Sequence, residues 1–250
     1  MGAAIHNIQE LYNTYRFGSF NYGRKREKFY PVLKEVITKM APASCLYDVG
    51  CGAGFWFSFY EAHGIKKENI TGVDLSPDNC RNLAEQGYRM LCGNILSLTL
   101  LDNISDITIS TGVIHHTPNP LQAFKELVRI TKPGGVIYVA VYNAWHPYYY
   151  IVHKAPFLLR WLYWRGNTKI VSFFYHLSKI LFQPLALLVM GKFLDEKSSR
   201  TLFMDQVITP YAHLFTKQKL IRYARTCNVK PQKLKYCQYG LMIEGFFEVP

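Results

Sequence analysis

The sequence predicts an α/β fold: a doubly wound, mostly parallel sheet of seven strands, closed by an antiparallel hairpin. Helices are expected on both faces, with a helical insertion after the fifth strand. Three observations predict it. Short apolar runs alternate with helix-length segments from residue 45 to residue 142, the rhythm of strand–helix–strand units. The first run, Leu46-Tyr-Asp-Val, leads into glycines at alternate positions 50, 52 and 54, and the second, Ile70-Thr-Gly-Val, ends in Asp74. That arrangement holds a nucleoside at the carboxyl edge of a sheet: bare backbone admits the ligand, and a carboxylate at the next strand tip accepts bonds from ribose hydroxyls. Finally, residues 233–239 and 241–248 read as two strands around a tight turn at Gly240, which makes the terminal pair antiparallel.

At 250 residues and 49% apolar composition, the chain suffices for one packed domain. Its expected parts are N-terminal helices over 1–40, a ligand-binding core over 41–143, a helical lid over 144–200, and a C-terminal helix and hairpin over 201–250. The net charge of +12 draws phosphates, nucleic acid or anionic lipid headgroups without choosing among them. Six cysteines form no C-x-x-C pair, which predicts reduced thiols in a cytoplasmic protein and no zinc site. The N-terminus carries no basic-then-apolar signal pattern, so secretion is not expected. His6 stands where a myristoylation signal would have Ser or Thr.

In chain order, residues 5–17 suit a short helix with Tyr12 and Tyr15 on one face, and 18–23 a turn. A second helix over 24–39 sets Phe29, Val32, Leu33 and Val36 on one stripe. Both precede the first strand, so they can cover either the ligand crevice or a sheet edge. Strands follow at 45–49, 70–74, 88–92, 104–110 and 136–142. Ser76-Pro77 and Asn119-Pro120 each set a capping side chain before a first-turn proline, opening helices that run to about 86 and 130. Lys132-Pro-Gly-Gly135 reads as a turn into the fifth strand, whose β-branched run suits a central position. Thr216 caps a helix to 227, and Pro231 follows its end.

From Leu127 to Leu194 there is no Asp or Glu, against eight Lys or Arg, and Trp145, Trp161 and Trp164 lie among tyrosines and phenylalanines. The run 172–190 has the length of a membrane span. However, His176, Lys179, Gln183 and Pro184 interrupt it, and a central Lys costs about 2.5–3.5 kcal/mol in hydrocarbon. A pair of amphipathic lid helices is the leading reading. Basic residues among aromatics also suit an interfacial helix on an anionic membrane, or the walls of a greasy pocket.

Spacing decides what the glycine loop holds. A dinucleotide fingerprint would have its third glycine at the place of Phe55, and a P-loop needs Lys-Ser or Lys-Thr after its glycines. Asp48, just ahead of the loop, would repel a pyrophosphate and suits a ligand with an ammonium group. Four motifs then stand in order: Asp48-Val-Gly-Cys-Gly-Ala-Gly54, Val73-Asp74-Leu-Ser76, Thr111-Gly-Val-Ile-His-His-Thr-Pro118, and Leu127–Gly135 ending in Lys-Pro-Gly-Gly. They resemble those of the class I S-adenosylmethionine-dependent methyltransferases, in the small-molecule branch with its Rossmann-like core. The match covers about residues 30–143 and the terminal hairpin.

The resemblance implies S-adenosyl-L-methionine as cofactor and S-adenosyl-L-homocysteine as product. It implies that Asp48 and the backbone of Gly50, Cys51, Gly52 and Gly54 hold the methionine moiety. Asp74 would take the ribose hydroxyls, Leu75 would pack on the adenine, and Ile95 would offer the ring a backbone contact. Asn94 stands where the family usually has an Asp for the adenine amino group; its amide oxygen can accept the same bond. Thr111 completes the cofactor-binding set.

Methyl transfer from a sulfonium is an in-line displacement, so placing nucleophile, carbon and sulfur on one axis does most of the work. A hydroxyl or acidic carbon also needs a base. His115 and His116, just past the fourth strand, are the candidates, set against a packing role beside the cofactor. Tyr142, Asn143, His146 and His213 border the same region, where packing or capping also accounts for them. No metal is expected, because no Asp or Glu lies near these histidines in sequence. The reading is an enzyme methylating a small, apolar or lipid-linked acceptor, with an anionic membrane as peripheral partner. Against it stand a tRNA or rRNA methyltransferase, favoured by charge but lacking an RNA-binding module or an Asn/Asp-Pro-Pro-Tyr motif; a protein that binds the cofactor without turnover; and a nicotinamide dehydrogenase, against which Phe55 counts.

Overall fold

The computed structural model describes residues 2–15, 28–190 and 193–250. The turn expected over 18–23 and the first residues of the second expected helix lie outside them. Seven strands form one sheet in the order β3-β2-β1-β4-β5-β7-β6. They are β1 Leu46–Val49, β2 Ile70–Asp74, β3 Arg89–Cys92, β4 Ser105–Thr111, β5 Thr131–Tyr142, β6 Lys230–Cys237 and β7 Met242–Glu248. The first five run parallel, and β7 is antiparallel to both β5 and β6. This is the Rossmann-like sheet with a terminal hairpin that the sequence predicts.

Among the described residues, five helices lie before β5: α1 Gly2–Thr14, α2 Pro31–Lys39, α3 Phe57–Ala62, α4 Pro77–Glu85 and α5 Pro120–Ile130. Strand alternation on β5 splits the core between the two faces of the sheet. Ile137, Val139 and Val141 join Phe124 and Leu127 of α5 on one side; Tyr138, Ala140 and Tyr142 join Leu33 of α2, Tyr60 of α3 and Leu83 of α4 on the other. The predicted caps form: Ser76 Oγ accepts from Asn79 N at 3.3 Å and Asn119 Oδ1 from Gln122 N at 3.1 Å.

Two local expectations give way. The turn at 132–135 is instead the start of β5. A register shift against β4, between Ser105 and Ile107, absorbs the extra residues, and Gly134 N, at φ +76°, donates to Val249 O at 2.8 Å. A Cβ at Gly135 would sit 2.8 Å from Lys132 O, so glycine lets the bulged strand keep pairing on both sides. Pro231 likewise lies inside β6, at another register shift, on an edge strand that tolerates a missing N–H.

The two N-terminal helices take the two positions left open by the sequence. α2 packs on the hairpin, where the buried Glu244 carboxylate of β7 accepts from Val32 N at 3.0 Å, Leu33 N at 3.2 Å and Tyr138 Oη at 2.9 Å. Free amides and the positive end of the helix dipole suit a carboxylate there. α1 lies over the strand tips: Gln9 Nε2 donates to Leu75 O at 3.1 Å, and Ser76 Oγ donates to Asn13 Oδ1 at 2.6 Å.

After β5 the segment expected as a lid has, among the described residues, three helices rather than two: α6 Phe157–Trp164, α7 Thr168–Met190 and α8 Glu196–Phe203. It is fastened to the core side. Arg160 Nη1 donates to Val207 O at 2.8 Å, and Trp164 Nε1 to Ile208 O at 3.1 Å. Among the described residues, no helix is long and apolar enough to cross a membrane. α9, Lys217–Thr226, is capped by Thr216 as expected and leads into β6.

Candidate active site

Strand order reverses between β1 and β4, and a cavity of about 1240 Å³ opens at the carboxyl ends of these strands. That exceeds the roughly 300–1,000 Å³ of a usual ligand site, and it divides by its lining into two parts. One is lined by Asp48, Gly50, Cys51, Gly52, Asp74, Leu75, Asn94, Ile95 and Thr111. The other lies toward His116, Tyr142, Tyr149, Asp205 and Gln206, with the side of α1 carrying Ile8 and Tyr12 as a further wall.

Of the expected cofactor positions, Gly54 is the one outside the lining. All three loop glycines have left-handed φ, +81°, +57° and +73° at 50, 52 and 54. At Gly50 and Gly54 the packing adds a reason beside the expected one. A Cβ on Gly50 would meet Val113 Cγ2 at 2.4 Å, and one on Gly54 would meet Leu83 Cδ2 at 2.6 Å. The protein's own packing, as much as any ligand, excludes a side chain at both positions.

The first compartment collects acceptors. Asp74 Oδ2 accepts from Gly52 N at 2.8 Å, while Oδ1 accepts from Ser76 N at 2.9 Å and Asn79 Nδ2 at 3.2 Å. Burial nonetheless raises its pKa. Asp48 is also buried, and desolvation lifts it to about 7 although Tyr60 Oη donates to it at 3.0 Å. Asn94 Oδ1 accepts from Leu96 N at 2.9 Å, which leaves one of its two lone pairs for a ligand. Thr111 Oγ1 is buried on the cavity wall with no partner. Among the described lining residues are Asp48, Asp74 and Asp205, but no Lys or Arg, in a chain whose net charge is +12. A cationic, hydroxyl-bearing nucleoside fits this set: the acids suit its ammonium and hydroxyls, and Thr111 lacks a bond that it can supply.

The histidine pair separates. His115 is fully buried and absent from the lining, and both its ring nitrogens lack partners. It packs against Tyr142 with ring centroids 3.8 Å apart and planes tilted by 41°, and burial holds its pKa well below the ordinary value. A base must reach the proton it takes, and in this structure His115 packs outside the cavity lining. His116 does line the cavity. Its Nδ1 is 2.8 Å from Tyr211 O, and a carbonyl has no proton to give, so Nδ1 carries the hydrogen, and in the neutral ring Nε2 presents a lone pair. Nε2 lies 3.2 Å from Tyr142 Oη and 3.8 Å from Asp205 Oδ1. Gln206 Nε2 donates to Tyr142 Oη at 2.8 Å and to Asp205 Oδ2 at 2.6 Å.

Of the bordering residues, Tyr142 and His146 line the cavity, whereas Asn143 and His213 do not. Asn143 ties the strand end instead, accepting from Trp145 N at 3.0 Å and donating to Gly240 O at 2.8 Å. Asp205, Gln206 and Tyr12 were not anticipated. Asp205 had a signal: it is an acid within the apolar run Leu202-Phe-Met-Asp-Gln-Val-Ile208, where an unpaired charge would be costly.

A cavity of acids and bare backbone at the reversal point of a doubly wound sheet suits a nucleoside ligand. Residues 47–139 match the model of the methyltransferase domain family. "Probable tRNA methyltransferase 9B" of Homo sapiens is 28% identical over 142 residues, covering 54% of this chain and 29% of that protein. Malonyl-[acyl-carrier protein] O-methyltransferase of Serratia marcescens is 32% identical over 98 residues, covering 38% of this chain and 37% of that protein. The chain thus spans less than half the length of these curated relatives. The crystal structure of a Pyrococcus horikoshii OT3 protein superposes with a TM-score of 0.59 at 17% identity, over 98% of this chain and 99% of that one. The family model and these relatives support a class I S-adenosylmethionine-dependent methyltransferase core over residues 47–139, and the superposition shows a shared fold.

Proposed function

We propose that the chain transfers a methyl group from S-adenosyl-L-methionine to a small, apolar or lipid-linked acceptor, with His116 as base. One observation carries the reading: the cofactor motifs and the base-ready Nε2 of His116 line the same cavity, whose second part is walled by aromatic and aliphatic side chains. When bound, the cofactor supplies an activated methyl on a sulfonium. Asp48, Asp74, Asn94 and Thr111 hold it through the acceptors described above.

The acceptor's proton passes to His116 Nε2, displacing Tyr142 Oη from its bond. The Tyr211 carbonyl keeps the ring oriented, and Asp205 at 3.8 Å stabilises the imidazolium that results. Lid residues Tyr149, Ala186 and Leu202 shape the acceptor's part of the cavity. Net charge and the relative named as a tRNA methyltransferase favour RNA as the second reading. Three lining acids, with no lining Lys or Arg among the described residues, weigh against a phosphate backbone inside this cavity.

The test is radiolabelled cofactor with long-chain carboxylates and prenylated phenols in one set and bulk tRNA in the other. Label in the organic phase is expected. His116→Ala should lower kcat by roughly 10²–10⁴-fold with unchanged cofactor affinity. Label in RNA, or full turnover by the variant, overturns the assignment.

A further inference from the structure

The outer surface of the segment after β5 is rich in exposed apolar side chains. On α7, Lys179 pairs with Glu196 and Gln183 bonds Leu194 and Ser199, while Lys169, Ser172 and His176 are exposed. Facing out are Ile170, Phe173, Leu177, Ile180 and Leu187, each between 44% and 69% exposed. Their spacing of three, four, three and seven residues puts them in one stripe along the helix. The stripe belongs to a wider surface, because thirteen of the sixteen large exposed hydrophobics among the described residues lie between Trp145 and Phe193. So extensive an apolar surface marks an interaction site.

Charge selects the occupant. The whole stretch from Leu127 to Leu194 lacks Asp and Glu, while Lys154, Arg165 and Lys169 are exposed on it. Two copies meeting through this face would set like charge against like. The Arg165 guanidinium lies 4.1 Å above the half-exposed Trp161 ring, a cation and an indole side by side. Indoles and basic side chains together favour the boundary between headgroups and acyl chains. No described helix can cross a bilayer, so the contact is with its surface.

We infer that this face seats the chain on an anionic lipid bilayer, with the α7 stripe in the upper acyl layer and the basic lid residues at the headgroup phosphates. The contact stands apart from methyl transfer and does not rest on it. It does put lipid one helix away from the cavity, since α7 turns Ala186 to the cavity and Leu187 to the outside.

Co-sedimentation of the full chain with vesicles tests the inference. One set is phosphatidylcholine alone, and the other contains about one-third phosphatidylserine. The chain should pellet with the mixed vesicles, bind the neutral ones at least tenfold more weakly, and be released by molar salt. Phe173→Ser/Leu177→Ser/Ile180→Ser should weaken binding at least tenfold with unchanged circular dichroism. Lys154→Glu/Arg165→Glu/Lys169→Glu, all at exposed positions, should do the same and carries the test if the stripe variant fails to fold. Wild-type chain that ignores both vesicle types overturns the inference, as does binding that neither variant weakens. A chain that instead dimerises, and becomes monomeric in the stripe variant, shows a second copy on this face and also overturns it.

Discussion

At the scale of single residues, ionisation of Asp48 governs the first compartment. Burial holds its pKa at about 7, against an ordinary 3.8, so the folded chain binds a proton there that the unfolded chain has already released. Between those values stability falls as pH rises, because the folded state alone must hold a desolvated charge. A cationic ligand reverses that preference by pairing with the ionised form. S-adenosylmethionine affinity should therefore rise roughly tenfold between pH 5.5 and 7, and calorimetry on Asp48→Asn should find the slope flattened. Asp48 was readable in the sequence from its place ahead of the glycines, and the cationic ligand followed from its sign. The division of labour in His115-His116 was not readable. Adjacent residues in a turn point in different directions, and only the tertiary structure puts Tyr211 O beside one ring and Tyr142 over the other.

At the scale of elements, strand and helix positions followed from periodicity and caps, and errors gathered where a tertiary partner overrides local chemistry. Lys132-Pro-Gly-Gly135 has turn chemistry, yet β4 on one side and the chain's end on the other recruit it into β5. Nothing local marks Glu244 as a helix cap, because its helix lies more than two hundred residues earlier. Glu244→Ala should leave two buried amides and the Tyr138 hydroxyl unpaired, costing about 3 kcal/mol in urea unfolding. Glu244→Gln keeps an acceptor oxygen and should cost less. Equal losses would show that space filling, not hydrogen bonding, is what the residue provides.

At the scale of the whole molecule, the sheet and core were legible because they repeat one pattern, while the lid was legible only as a change in composition. Its attachment depends on single bonds. Arg160 donates to Val207 O at 2.8 Å and His153 O at 2.6 Å, pinning α6 to the segment that carries Asp205. Arg160→Ala should speed limited proteolysis within 150–190 at least tenfold and raise the acceptor KM, with cofactor affinity changed less than twofold; unchanged proteolysis would show the lid held elsewhere. The roof formed by α1 works differently. Ile8 and Tyr12 belong to the cavity wall, and Gln9 and Asn13 fasten the helix to Leu75 and Ser76. A ligand touching that wall and the docking of α1 are two linked equilibria, and linkage is reciprocal. Whatever free energy the docked helix lends to the ligand, the ligand returns to the helix, so protection of α1 amides from exchange is itself a binding readout.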